Sequence, residues 1–413
     1  MTVAEAPGWT ADSLVPAGRL LSVPTTDLAE HERLHGPLPV TGHPGALLPR
    51  VEAAGLTGRG GAGFASSRKL AAVASGPRPV VIANGAEGEP ASSKDRTLLV
   101  TVPHLVLDGL QVAADIVGAT TAYVYVAPGL ALQATKSALA SRRKAGRDPV
   151  KVTLVEAPDT FLSGQETAVL AAIEGRPAVP KDMPRRIVDS GLRGRPTLVN
   201  NVETLAHLAQ IARHGASWFR RYGTHDEPGT FLTSISGPVV RPGVYEVAHG
   251  TPLNDVLARA GGPTESLQAV LVGGYHGSWI PIDAGWNAPM SRAGLAPFGA
   301  SVGAGVVIPL AADACGLVES AKVVAYLADQ SAQQCGPCLN GLPRISDVVT
   351  KLARGNRSPS LVTEIERVTR LVENRGACRH PDGTARFVRS TLSVFASEVD
   401  LHLNGYCTAA GNR

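Results

Sequence analysis

The chain has 413 residues and a mass of 42.7 kDa, with 44% hydrophobic and 18% charged residues, so it can bury two or three cores and is too apolar to be disordered. Its 39 Lys and Arg against 35 Asp and Glu give a charge of +4 spread along the sequence, which implies no nucleic-acid partner. Met1 to Ala17 lack a positive start followed by an apolar run, and no later stretch stays apolar for about 18 residues; the expected location is cytoplasmic, compatible with peripheral docking on the inner face of a membrane.

Residues 1–44 are rich in Pro and small residues, with one helical stretch at 28–34, and read as an arm. From Gly55 strand and helix signals alternate: strands at 79–83, 122–126 and 150–155, helices at 105–117 and from Glu166 to Ile173. That alternation predicts a Rossmann-like, mainly parallel α/β domain over residues 45–225. Composition then shifts to short strands at 230–235, 243–247 and 269–272, separated by Gly-Pro, Pro-Gly and Gly-Gly turns and one helix at 253–260. This is a small α+β module, residues 226–315. Over 316–405 the period becomes helical, with apolar faces at Leu317, Ala321, Val324 and Leu327, at Ile345, Val348, Val349 and Leu352, at Leu361, Ile365, Val368 and Val372, and at Val388, Leu392, Phe395 and Val399. A four-helix bundle follows. Residues 406–413 are a tail.

The loop Gly58-Arg59-Gly60-Gly61-Ala62-Gly63-Phe64 offers successive backbone N–H groups without Cβ obstruction, beside Arg68 and Lys69, and suits phosphate; a structural turn is the alternative. Asn84-Gly85-Ala86-Glu87-Gly88-Glu89-Pro90 follows a strand, where carboxyl ends border the ligand crevice of an open sheet; a solvated acidic turn is its alternative. Gly164-Gln165-Glu166 and Val199 to Thr204 are weaker signals, since Asn and Glu at helix starts are often caps. The five cysteines, Cys315, Cys335, Cys338, Cys378 and Cys407, are odd in number and crowded into the last quarter, which excludes a secreted disulfide framework and points to metal or redox chemistry. In an up-down bundle Cys335 and Cys338 fall after the first helix and Cys378 between the third and fourth, at one end, where three thiolates can converge.

These segments, in this order, resemble the flavoprotein subunit of respiratory NADH dehydrogenase (complex I) and its relatives in NAD-linked hydrogenases and formate dehydrogenases. The resemblance rests on residues 58–64, Asn84 to Pro90, Lys94-Asp95-Arg96, Pro103-His104, Gly164 with Glu166-Thr167-Ala168, Gly194 with Pro196-Thr197, and Val199 to Leu205; Ser236 to Val239 and Pro242 to Val247 match that family's soluble-ligand-binding β-grasp domain (SLBB). It implies an electron-transfer flavoprotein with flavin mononucleotide (FMN) against the glycine loop, NAD(H) above it, and an iron-sulfur cluster in the helical region. The residues so placed are Gly58, Arg59, Gly60, Gly61, Ala62, Gly63, Phe64, Lys69, Asn84, Glu87, Glu89, Gly164, Glu166, Asn200, Asn201 and Thr204, with Glu87, Glu89 and Glu166 as the catalytic candidates and Cys335, Cys338 and Cys378 as metal ligands. A ferredoxin-like or other iron-sulfur protein in a hetero-oligomer is the implied partner.

The sequence also departs from that family. Ala332 occupies the position of the first cluster cysteine, leaving a four-iron cluster completed by a non-Cys group, a three-iron cluster, or none; His380 is a candidate fourth ligand, and zinc held by the three Cys and a His is a further alternative. Ala72 and Arg186 stand where two adenine-stacking phenylalanines are expected, and Ala86, Ser163 and Gln165 replace an expected Asp, Cys and Glu. Cys315 and Cys407 are read as bystanders. The functional alternative is a non-catalytic scaffold of the same fold.

Overall fold

The structure is a computed structural model describing residues 19–409. The chain divides into two compact units, one comprising residues up to Val179 with Met183–Ser234 and Gly243–Thr251, the other Pro180–Asp182, Ile235–Pro242 and the chain from Pro252 onward.

The first unit is built on a parallel sheet of β1 (Val80–Gly85), β2 (Thr121–Val126), β3 (Val152–Glu156) and β4 (Thr197–Asn201), in the order β3-β2-β1-β4. The Val-Val-Ile-Ala run of β1 is fully buried, as the central strand of a parallel sheet covered on both faces requires. Helix Pro103–Val117 starts on Pro at its first position, ends on the left-handed Gly118 (φ 69°), and buries every residue but Asp115, largely against helix Val202–His214. β1 leads to β2 on one side and pairs with β4 on the other. The strand order therefore reverses between β1 and β4, with Asn84 opposite Asn201 at their carboxyl ends, which is where an open α/β sheet forms its ligand crevice. β4 is absent from the elements expected above: five residues after Pro196 are too few to show a period.

A small α+β part follows. β5 (Thr230–Ile235) lies beside β6 (Gly243–Ala248), and within the second unit β7 (Leu267–Val272) pairs antiparallel with both β8 (Ser278–Pro281) and β9 (Val306–Ala311). Helices Gly316–Asp329, Leu342–Ala353, Ser360–Val372 and His380–Val394 then bring Leu317, Val324, Val349, Leu352, Ile365, Val388 and Leu392 around one apolar centre. The fourth apolar face expected from the sequence is not one helix. It breaks at Phe395 (φ −105°, ψ 33°), whose ring meets Trp279 edge-on at 5.3 Å between centroids, and resumes as Ala396–Leu403. Among the described residues no single helix is long and apolar enough to cross a membrane; the bent pair Lys94–Thr101 and Pro103–Val117 passes on composition, but its second helix is core.

Candidate functional site

The glycine loop closes as a tight turn: Gly58 N–H donates to the Phe64 carbonyl at 2.8 Å, and Thr57 bridges Ala65. Gly61 (φ 106°) and Gly63 (φ 60°) hold positive φ angles that a side chain would strain. Gly60, Gly61 and Ala62 are exposed, and among the described residues their N–H groups have no protein partner, while the chain runs directly into helix Ser66–Ala74. The loop is anchored from beneath. Arg59 N–H donates to Thr204 Oγ1 at 2.8 Å, and a Cβ on Gly60 would sit 3.4 Å from that of Asn201.

Arg59, expected beside phosphate, turns inward. Its side chain is buried, bonds Thr57 Oγ1 at 2.7 Å and lies 4.0 Å from Glu203 Oε1. There it joins a buried charge network: Lys94 Nζ reaches Asp95 at 2.7 Å, Glu203 at 2.9 Å and Asn201 Oδ1 at 3.3 Å, and Asn201 Nδ2 donates to Asp95 at 2.6 Å. Burial opposes the Lys94 charge, but Asp95, Glu203 and Glu87 outweigh it and raise its pKa above the ordinary lysine value. Asn201 also caps helix Val202–His214 through Glu203 N–H at 3.0 Å. The network thus fixes the carboxyl end of β4 under the loop.

At the end of β1, Asn84 Nδ2 donates to Gly164 O at 2.8 Å, and the two loops meet so closely that a Cβ on Gly88 would lie 2.3 Å from the Phe161 carbonyl. Glu87 turns away from the crevice to serve helix Lys94–Thr101, accepting from Ser92 Oγ at 2.5 Å, Asp95 N–H at 3.1 Å and Arg96 N–H at 3.0 Å. Burial and Asp95 push its carboxyl pKa up. Glu89 is half-buried and accepts from Ala91 N–H at 3.3 Å. Lys69 bonds Glu166 and, at 2.6 Å, the Val199 carbonyl, joining helices Ser66–Ala74 and Glu166–Ile173 to β4. Gln165 caps the second of these helices through Thr167 and Ala168 N–H. Asn200 is buried, and among the described residues its Nδ2 has no partner. The structure therefore gathers the loop, Lys69, Asn84, Gly164, Glu166 and Asn200 about the carboxyl ends of β1 and β4, sets Arg59, Asn201 and Thr204 beneath the loop, and gives Glu87 to helix Lys94–Thr101.

The positions expected to stack a nucleotide offer little aromatic surface. Phe64 is 55% exposed, Ala72 packs against the core, and Arg186 extends into solvent and pairs with Asp189 at 3.0 Å.

In the helical unit Cys335 and Cys338 lie with their sulfurs 3.8 Å apart, Cys338 in a π-helical turn over Pro337–Gly341. Backbone N–H groups of Cys338 and Ala377 point at the Cys335 sulfur, that of Ala332 at Cys338, and that of His380 at Cys378. Burial pushes the Cys338 thiol up to about 11, with Cys335 and Cys378 adding to the shift, so all three sulfurs feel one another. Their N–H donors make the set suited to an iron-sulfur cluster rather than to inert core. His380 does not offer itself as a fourth ligand: Nε2 donates to Leu327 O at 2.8 Å and Nδ1 meets His276 Nε2 at 3.0 Å. It is a buried helix-start residue.

Comparison with known proteins decides the family. Residues 51–210 match the Nuo51 FMN-binding domain, residues 232–276 the SLBB domain, and residues 319–402 the iron-sulfur binding region of NADH-ubiquinone oxidoreductase-F. The F 2 subunit of NADH-quinone oxidoreductase in Rhizobium meliloti (strain 1021) is 30% identical over 376 residues, covering 87% of this chain and 89% of the relative. The chain belongs to the NADH-quinone oxidoreductase F family. The corresponding F protein of Rickettsia bellii (strain OSU 85-389) is 29% identical over 371 residues, 86% of this chain and 89% of its own. The crystal structure of the NAD+-reducing NiFe-hydrogenase in the H2-reduced state superposes with a TM-score of 0.82 at 29% identity, over 93% of this chain and 66% of that one. This member of the oxidoreductase F family thus carries the FMN-binding, SLBB and iron-sulfur regions of an electron-transfer protein, and its relatives are named as parts of larger enzymes.

Within that family frame, some groups become recognisable only from geometry: Glu203, hidden in a run that reads as a helix start, and Cys315 and Cys407, expected to be bystanders, which meet Glu398 and His402. No local sequence signal marks them.

Proposed function

We infer that the chain binds FMN in the β1–β4 crevice and relays electrons to an iron-sulfur cluster held by Cys335, Cys338 and Cys378, within a hetero-oligomer that includes a ferredoxin-like or other iron-sulfur partner. The observations that carry the flavin reading are the buried Asn200 Nδ2, without a partner among the described residues, at the carboxyl end of β4, and the exposed loop residues Gly60, Gly61 and Ala62, of which Gly60 approaches the neighbouring Asn201. A buried donor without an acceptor costs about 1–3 kcal/mol, which a ligand acceptor relieves. A flavin supplies the switch between two-electron and one-electron transfer; the protein supplies position and polarity. On this reading the loop N–H groups hold phosphate, the Lys69–Glu166 pair and Asn84 line the ring side, and the buried Lys94 network keeps β4 rigid beneath. Glu166 stands on the ring side as the charge partner of Lys69, while Glu87 acts as a helix cap.

NAD(H) is admitted less readily than flavin, because two of three stacking rings are replaced. Stacking is worth about 1–3 kcal/mol per base in comparable nucleic-acid cases, so nucleotide affinity falls on the order of 10- to 100-fold per ring. The test is anaerobic: purify the chain, record its flavin and iron absorption, and titrate first with NADH, then dithionite. Flavin that dithionite bleaches and stoichiometric NADH does not is the expected result. Protein with neither flavin nor iron after anaerobic reconstitution would refute the electron-transfer reading and leave a docking scaffold.

A further inference from the structure

We propose that Cys315, Glu398, His402 and Cys407 form a structural zinc site, separate from the three-cysteine cluster site. One ligand atom from each lies within 4.8 Å of all the others, three of the residues are buried, and Cys407 is half-buried. Cys315 Sγ is 3.4 Å from His402 Nε2, which is 3.1 Å from Glu398 Oε1. Tetrahedral zinc with bonds of about 2.0–2.3 Å requires ligand-to-ligand edges of about 3.3–3.8 Å, so the side chains need to move only modestly to close around an ion.

The hydrogen-bond chemistry makes the case stronger than proximity. His402 Nδ1 lies 3.0 Å from the Leu352 carbonyl, which only accepts, so Nδ1 donates there and Nε2 is the nitrogen whose lone pair a metal ion would take. That lone pair faces a carboxylate oxygen. Two acceptors at this distance need a proton or a metal ion between them, and two thiols standing beside the same point favour the metal. The ligands are also held from outside. Glu398 accepts from Thr408 N–H at 3.1 Å and Thr408 Oγ1 at 2.7 Å, Cys315 is the N-cap of helix Gly316–Asp329 and accepts from Val318 N–H at 3.4 Å, and Glu398 and His402 are one turn apart on helix Ala396–Leu403. Such outer partners fix the tautomer and orientation of metal ligands. Zinc entry displaces the two thiol protons to solvent, with no change of oxidation state. Four protein ligands leave no open position, so the site is structural: it ties the end of the chain to the first bundle helix and accounts for the two cysteines outside the cluster set.

The test uses the full-length protein, purified under argon with reductant from zinc-containing medium, with zinc and iron measured together by mass spectrometry. About one zinc per chain is expected. Cys315→Ser with Cys407→Ser should lower zinc at least about tenfold while leaving iron unchanged, and Cys335→Ser with Cys338→Ser should do the reverse. Should the first variant fail to fold, Co2+ added to the chelator-treated wild type reports directly, through the visible absorption of tetrahedral thiolate-bound cobalt. Wild type without zinc and without cobalt bands, zinc that disappears only with the cluster cysteines, or a Cys315–Cys407 disulfide in the argon-purified protein would each overturn the proposal. Flavin content does not enter this readout, so the result is independent of the function proposed above.

Discussion

Lys69 and Ala332 are the residues at which single atoms decide most. Lys69 Nζ ties Glu166 and the Val199 carbonyl together, and hydrogen bonds to charged groups contribute about 1.5–3 kcal/mol each. Lys69→Met keeps the stem and removes both ties, so flavin affinity should fall about tenfold or more, read by equilibrium dialysis of the purified protein; unchanged affinity would move the flavin away from this crevice. Ala332 already aims its N–H at the Cys338 sulfur, and Ala332→Cys would put a thiol next to the three present. The variant should retain more iron through aerobic purification than the wild type. Equal or lower iron would mean that the cluster site is complete without a fourth cysteine.

At the scale of elements, the buried end of helix Pro103–Val117 makes the fold acid-sensitive. His104 is wholly buried, Nε2 donates to the Thr26 carbonyl at 3.0 Å, and among the described residues Nδ1 has no partner. Burial, with the charges of His31 and Arg142, lowers its pKa from 6.5 to about 4. The folded state therefore prefers neutral His104, the unfolded chain binds the extra proton between pH 6.5 and 4, and stability falls as pH drops through that window, by up to about 3 kcal/mol from this residue. Urea midpoints at pH 7.5 and 5 should show the loss, and His104→Gln should flatten it; an equal decline in the variant would assign the effect elsewhere. The element types of the C-terminal region are legible in the sequence, because its helices carry clear apolar periods. β4 and the break at Phe395 are not. The first is too short for a period, and the second preserves the apolar spacing while the backbone turns around the Trp279 contact.

For the whole molecule, the division into two compact units predicts unfolding that is not two-state. Calorimetry of the full chain should give two transitions, and chelation of zinc should lower the one belonging to the helical unit while flavin absorbance follows the other. A single transition with both probes coincident would contradict this. The hydrogenase chain shares this architecture, with a TM-score of 0.82, at only 29% identity, so the topology tolerates extensive change of side chains.

The sequence alone determined the class of fold and the family likeness, because backbone-dictated features such as the glycine loop and Asn84 to Pro90 are local in the chain. The tertiary structure decided what each of those side chains does. Arg59 and Glu87 were expected to face a ligand, yet the cost of leaving Glu203 and the N-terminus of helix Lys94–Thr101 unpartnered in a buried region draws them inward. Cys315 and Cys407 are distant in the chain and carry no message singly; only folding sets them beside His402 and Glu398, where opposed acceptors and two thiols suit a cation.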